Sequence, residues 1–181
     1  FASSLNNLAV LLEATGRYAE AEPLYREALD LRREALPPSH PDIATSLNNL
    51  AILLWQMHRF SDSESVFLEL FRFEVLLKGE DAPATLEAKR CIAAVQRDAG
   101  QLSEAEANFR QVIAAAQSNP ENDEEFILLS QSGLIKTLRL GLKLNDARQL
   151  LSEVLPATLS KLGADHDIVV RLNEERDLLR G

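Results

Sequence analysis

Apolar residues recur at intervals of three and four along nearly the whole chain, a period that predicts helices throughout. The first run carries Leu5, Leu8 and Leu12 with their neighbours. Gly16 interrupts it, and a second helix is predicted from about Tyr18 to Glu34, with Ala21, Leu24, Tyr25, Ala28 and Leu29 on one face. Pro37-Pro38-Ser39-His40-Pro41 ends that helix, because proline cannot continue a helix interior and the residue before a proline avoids the helical region. The unit so defined is an antiparallel helix pair. It has a tight glycine-type turn inside and a short Pro- or Gly-containing turn outside.

The pattern then repeats. Leu5-Asn6-Asn7-Leu8-Ala9 returns as Leu47-Asn48-Asn49-Leu50-Ala51, 42 residues later. Gly16-Arg17-Tyr18-Ala19-Glu20-Ala21-Glu22 returns as His58-Arg59-Phe60-Ser61-Asp62-Ser63-Glu64 and as Gly100-Gln101-Leu102-Ser103-Glu104-Ala105-Glu106. A fainter copy is Leu142-Lys143-Leu144-Asn145-Asp146-Ala147-Arg148. Self-similarity at a fixed period of this size marks an array whose units bury their apolar faces against neighbours. The expected organisation is a single array over 1–181, with units at about 1–39, 40–80, 81–122 and 123–164 and a C-terminal capping helix over 165–180. That makes nine helices and no strand. Arg171, Glu174, Glu175, Arg176 and Asp177 give the last helix a wet outer face, which terminal repeats need. Phe1 falls at the repeat phase of Ile43, so the chain is expected to start inside a repeat of a longer protein.

The same ladder separates packing from surface. Ala21, Ser63, Ala105 and Ala147 form a column of small residues, as required where two helices approach closely. Tyr25, Phe67, Phe109 and Leu151 form a column of large ones, and Leu8, Leu50, Ile92 and Leu134 a third core column. Glu20/Glu22, Asp62/Glu64 and Glu104/Glu106 read as solvated faces of the outward second helices.

A helix pair with Leu-x-x-Leu/Ala, then Gly-x-Tyr-x-x-Ala, then a large and a small residue resembles the tetratricopeptide repeat, whose ordinary period is about 34 residues. The 42-residue version with Leu-Asn-Asn-Leu-Ala and a His40-Pro41-Asp42 linker is similar to the repeats of kinesin light chains. The resemblance is strongest in the first two units. It thins in the fourth, where Leu142 replaces the turn glycine and Gln131-Ser132-Gly133-Leu134 replaces Leu-Asn-Asn-Leu. It implies an all-α fold, a right-handed α-solenoid of tetratricopeptide helix-turn-helix repeats.

Composition removes several classes of function. A net charge of −9 argues against a nucleic-acid backbone and against a basic membrane-surface module as partner. The longest apolar runs, such as Leu50 to Trp55, fall far short of a membrane span. Cys91 is the single cysteine, which excludes an intramolecular disulfide and suits a reducing, cytoplasmic setting. No phosphate-binding glycine loop, His-Glu-x-x-His or Cys-x-x-Cys motif occurs, and the expectation is of no enzyme, no cofactor and no metal. His40, His58 and His166 sit at turns and read as structural, and Cys91 reads as a small buried or half-buried thiol.

The resemblance implies that a peptide or partner protein binds a concave surface lined by the first helix of each unit. The candidates in the first two units are Asn6, Asn7, Val10, Asn48, Asn49, Ile52 and Trp55, amides for an extended backbone beside an apolar shelf. The later units contribute Arg90, Arg97, Lys136 and Arg139, and arginine's fixed fork pairs well with carboxylates. An acidic-aromatic segment, such as kinesin light chains take, fits this set. The competing reading pairs the basic residues with Glu87, Asp98, Glu174 or Glu175 within the chain. Two alternative functions stand beside peptide binding: self-association through the open N-terminal helix, giving a homo-oligomer, and the repeat arm of a larger enzyme or signalling protein.

Overall fold

The computed structural model describes residues 1–119 and 122–180. Pro120 and Glu121, in the linker expected between the third and fourth units, and Gly181 lie outside the described residues. The described residues form nine helices and no strand: α1 (Ala2–Ala14), α2 (Tyr18–Ala35), α3 (Pro41–Gln56), α4 (Phe60–Lys78), α5 (Pro83–Asp98), α6 (Leu102–Ser118), α7 (Glu124–Leu140), α8 (Leu144–Leu162) and α9 (Asp167–Arg180). They divide into two compact units, Phe1–Val95 and the remainder from Gln96 onward, so that α5 ends in the second.

The four turns inside the helix pairs share one geometry. The backbone N–H of Arg17, Arg59, Gln101 and Lys143 bonds the carbonyl five residues earlier, and the preceding N–H closes a second ring. This is the Schellman arrangement, whose penultimate residue must be left-handed. Gly16 and Gly100 supply φ of 76° and 84°, but His58 and Leu142 are held at 57° and 59°. A left-handed conformation costs an L-residue with a Cβ about 1–2 kcal/mol, part of which glycine returns as unfolded-chain entropy. Leu142 is 83% exposed, so Leu142→Gly forfeits little burial. It is expected to raise stability by about 0.5–1 kcal/mol, read as a higher urea midpoint of the second unit.

Helix starts are fixed by side chains at the linkers. His40 Nδ1 accepts from Asp42 N at 3.2 Å, with Pro41 opening α3. His166 Nδ1 accepts from Ile168 N at 3.3 Å, and Asp123 Oδ1 from Glu125 N at 3.1 Å. Each satisfies a backbone donor that a helix N-terminus leaves unpaired. Two of the three histidines are therefore caps.

The small-residue column is buried without remainder: Ala21, Ser63, Ala105 and Ala147 are each 0% exposed. Ser63 keeps the column small and donates its hydroxyl to Ala51 O at 2.8 Å. Tyr25, Phe67, Phe109 and Leu151 fill the space around these crossings and are also buried. The Tyr25 hydroxyl donates a hydrogen bond to Glu13 Oε2 at 2.6 Å, which satisfies the one polar atom it carries inward. The third column departs from expectation at one end. Leu50, Ile92 and Leu134 are buried, but Leu8 is 47% exposed on α1.

The acidic pairs on the second helices are not simply solvated. Glu22 accepts from Arg59 Nη1 at 2.7 and 2.8 Å in the first unit, and Lys143 Nζ donates to Glu106 at 2.7 Å in the second. Burial opposes charge on both carboxyls. Hydrogen bonds from Arg26 and Arg59, and from Lys143 and Arg110, outweigh it, and both pKa values are lowered. Each bond ties a second helix to the turn residue 37 positions onward, one helix pair to the next.

Candidate functional site

The first unit contains a cleft of about 540 Å³ between α3 and α5, with Leu70 and Glu74 of α4 also lining it. Asn48, Ile52 and Trp55 line one wall, because positions four and three apart share a helix face. Each is half-buried, so the wall is accessible yet supported from behind by the unit's core. Glu87, Arg90 and Cys91 line the α5 side, and Ala84 and Ala88 leave the space open.

Charge in the cleft is largely committed. Arg90 Nε bonds Glu87 Oε2 at 2.8 Å and Nη2 bonds Oε1 at 2.5 Å. Burial works against the Arg90 charge, but those bonds prevail and its pKa is raised. Burial, reinforced by the Glu87 charge, pushes the Cys91 thiol up to about 12. A thiol at that value carries almost no thiolate at neutral pH and is not a nucleophile. The inert reading of Cys91 fits its place, 7% exposed in the core of the first unit.

The expected binding residues sort into four groups. Asn48, Ile52, Trp55 and Arg90 line the cleft. Asn6 does not present itself: it is 8% exposed, and its Oδ1 accepts from Asn49 Nδ2 at 3.1 Å, so the two amides stitch α1 to α3. Asn7 and Val10 are exposed on α1. Arg97, Lys136 and Arg139 belong to the second unit. Most of the basic side chains are paired within the chain. Arg97 Nε bonds Asp98 at 2.8 Å, and Arg139 Nε bonds the buried Glu175 at 2.5 Å. With Arg90 on Glu87, three of the four cations hold carboxylates of this chain; Lys136 is half-buried on α7.

Two structural residues escaped the sequence reading. Gly133, the ladder equivalent of Asn49, lies against the buried ring of Phe109. Glu74, on a second helix, is only 6% exposed yet lines the cleft. Its signal was in the ladder: Arg32, Glu74, Ala116 and Thr158 stand 42 apart and are all buried.

Among the described residues no cluster of three or more His, Cys, Asp or Glu is placed to hold a metal ion. No described helix is long and apolar enough to cross a membrane.

This stacking of helix pairs with left-handed inner turns and a small-residue crossing defines a helical-repeat protein. Residues 1–73 match the tetratricopeptide repeat family. The fold is an α-solenoid of helix pairs similar to that of kinesin-light-chain-like repeat structures. Two crystal structures of nearly identical repeats from a putative kinesin light chain of Podospora anserina superpose with TM-scores of 0.80 and 0.79 at 20% identity, covering 98% of this chain and 84% of theirs. BtubC (BKLC) from P. vanneervenii gives a TM-score of 0.73 at 19% identity, over 99% of this chain and 65% of that one. Bacillus thuringiensis PlcR, crystallised with the peptide PapR7 and DNA, gives 0.67 at 14% identity, over 99% of this chain and 63% of its own. At such identities the shared property is the fold. No curated protein sequence matches the chain. Tetratricopeptide repeats are in general protein-interaction scaffolds rather than catalysts.

Proposed function

We propose that this chain is an interaction scaffold that takes an extended segment of a partner protein in the α3/α5 cleft of its first unit. The observation that carries the reading is the wall of Asn48, Ile52 and Trp55, half-buried side chains on one face of α3. An indole beside an aliphatic side chain offers a flat apolar anchor, and the amide supplies both a donor and an acceptor for a peptide backbone. Aromatic anchors in sheltered pockets carry a large share of binding energy at interfaces.

The aromatic half of an acidic-aromatic ligand has support in this wall. The acidic half has less, because Arg90 would have to exchange Glu87 for a ligand carboxylate. Self-association is favoured by a separate observation: Phe1, Leu8 and Leu11 on the first helix are 83%, 47% and 61% exposed. A molecular mass that stays monomeric at high concentration would remove that second reading.

The test is selection of short peptides from a random library against the native chain and against Trp55→Ala. Truncating an anchor of this kind costs about 2 kcal/mol or more, close to 30-fold in Kd. Peptides that bind the native chain should therefore weaken by about that factor in the variant. Undiminished binding by a folded Trp55→Ala chain would move the site elsewhere.

A further inference from the structure

In the first unit the groove between α2 and α3 is covered by α4. Tyr25, Leu29, Leu50, Leu54 and Phe67 share one buried cluster there, and Arg33 of α2 pairs with Glu69 of α4. The ladder columns of the two leucines of α3 stay buried down the chain: Leu50, Ile92 and Leu134, and Leu54, Gln96 and Leu138. In α9 the same two columns read Arg176 and Arg180. A third column changes sign on α8. Glu22 and Glu106 accept from Arg59 and Lys143, the residues just before α4 and α8, but their equivalent on α8 is Arg148.

The three arginines meet at one place. A groove of about 280 Å³ lies between α8 and α9, floored by Leu151, Leu155 and Leu179 and rimmed by Arg148, Arg176 and Arg180. Among the described residues no Asp or Glu lines it. Arg148 directs Nε and Nη2 to the neutral carbonyl of Leu179, at 3.1 and 2.7 Å, rather than to a carboxylate. Arg176 and Arg180 share one carboxylate, Asp177, at 3.4 and 3.9 Å, and that side chain is 65% exposed. Exposed pairs of this kind are weak and screened by salt. Three guanidinium groups thus stand against one carboxylate, on a chain whose net charge is −9. An apolar helix laid over this groove would bury the arginines without partners, which is costly. A carboxylate avoids that cost, because the guanidinium fork holds it with two parallel bonds.

We infer that the α8/α9 groove docks an acidic amphipathic helix of a partner protein. Its aliphatic stripe lies on Leu151, Leu155 and Leu179, and its carboxylates pair with Arg148, Arg176 and Arg180. The equivalent groove between α2 and α3 holds a helix, which sets the form of the occupant; the arginines set its charge. The groove belongs to the second unit, and the inference does not depend on the α3/α5 cleft.

The test uses three capped, alanine-rich helical peptides with leucines at i, i+4 and i+7, a spacing that places them on one face. The peptides differ only in flanking the leucines with glutamate, glutamine or lysine. They are titrated calorimetrically against the native chain, Trp55→Ala, and Arg176→Gln with Arg180→Gln, at low and physiological salt. The glutamate peptide should bind the native chain at least about tenfold more tightly than the glutamine peptide. The ratio should shrink as salt rises. The double arginine variant should bring it close to one, and Trp55→Ala, in the other unit, should leave it unchanged. A second variant, Arg176→Leu with Arg180→Leu, restores the residues that α7 carries at these columns. It should remove the glutamate preference and keep the glutamine peptide bound. Equal binding of the glutamate and glutamine peptides to the native chain, or preference for the lysine peptide, would overturn the charge inference. No binding by any of the three would overturn the groove as a docking site. Binding lost in Trp55→Ala would overturn it too, by placing the peptides in the α3/α5 cleft. A molecular mass that grows with concentration and falls on adding the glutamate peptide would assign the groove to a second copy of the chain, against the partner proposed.

Discussion

Ala105→Arg is expected to unfold the second unit, whereas Glu104→Arg, one residue away, leaves it intact. Ala105 is 0% exposed at the crossing that the small-residue column makes possible, and Glu104 is exposed. Forcing extra methylenes into a filled core costs about 1–3 kcal/mol. An uncompensated buried charge adds about 3–5 kcal/mol. Together these rival the ~5–15 kcal/mol that holds a typical domain. An exposed substitution is worth within about 0.5 kcal/mol. Urea titration followed by far-ultraviolet circular dichroism reads the difference directly. Equal midpoints for the two variants would reject the helix register described here.

The second large effect is expected at Gly133. A Cβ added there would sit 2.6 Å from both Cε1 and Cζ of Phe109. That ring is 0% exposed and hemmed in, so it cannot swing aside as a long surface side chain would. Replacing a helical glycine returns a few tenths to about 1 kcal/mol of helix propensity, less than the about 1–3 kcal/mol that overpacking removes. Gly133→Val should therefore lower stability by roughly 1–3 kcal/mol despite being the better helix former. Phe109→Leu, which clears the ring, should cancel part of that loss in the double variant. Strict additivity of the two changes would contradict the contact, since residues that touch couple.

The fold was legible because a 42-residue ladder repeats the same packing decision four times. A column that is always small, or always large, has little other explanation, and those columns are buried as read. Leu8 departs from its column because the ladder treats every copy alike, while burial differs from copy to copy. The site was legible only in part. Asn48, Ile52 and Trp55 follow from helix periodicity, but the partners of Arg90, Arg97 and Arg139 depend on where long flexible side chains settle. The true pairings matched the more ordinary of the two readings. Asn6 turned inward because Asn49, its near neighbour across the α1/α3 seam, offers the donor it needs. Glu74 was missed because the groove was drawn from first helices alone.

Trp55 is the chain's one tryptophan and lines the cleft, so its fluorescence reports occupancy of that site and no other. The most direct test of the cleft as a peptide site is a titration of the native chain with library-selected peptides, following Trp55 emission and calorimetric heat in the same samples. The cleft reading predicts a saturable blue shift whose midpoint equals the calorimetric Kd. Saturable heat with unchanged Trp55 emission would contradict it.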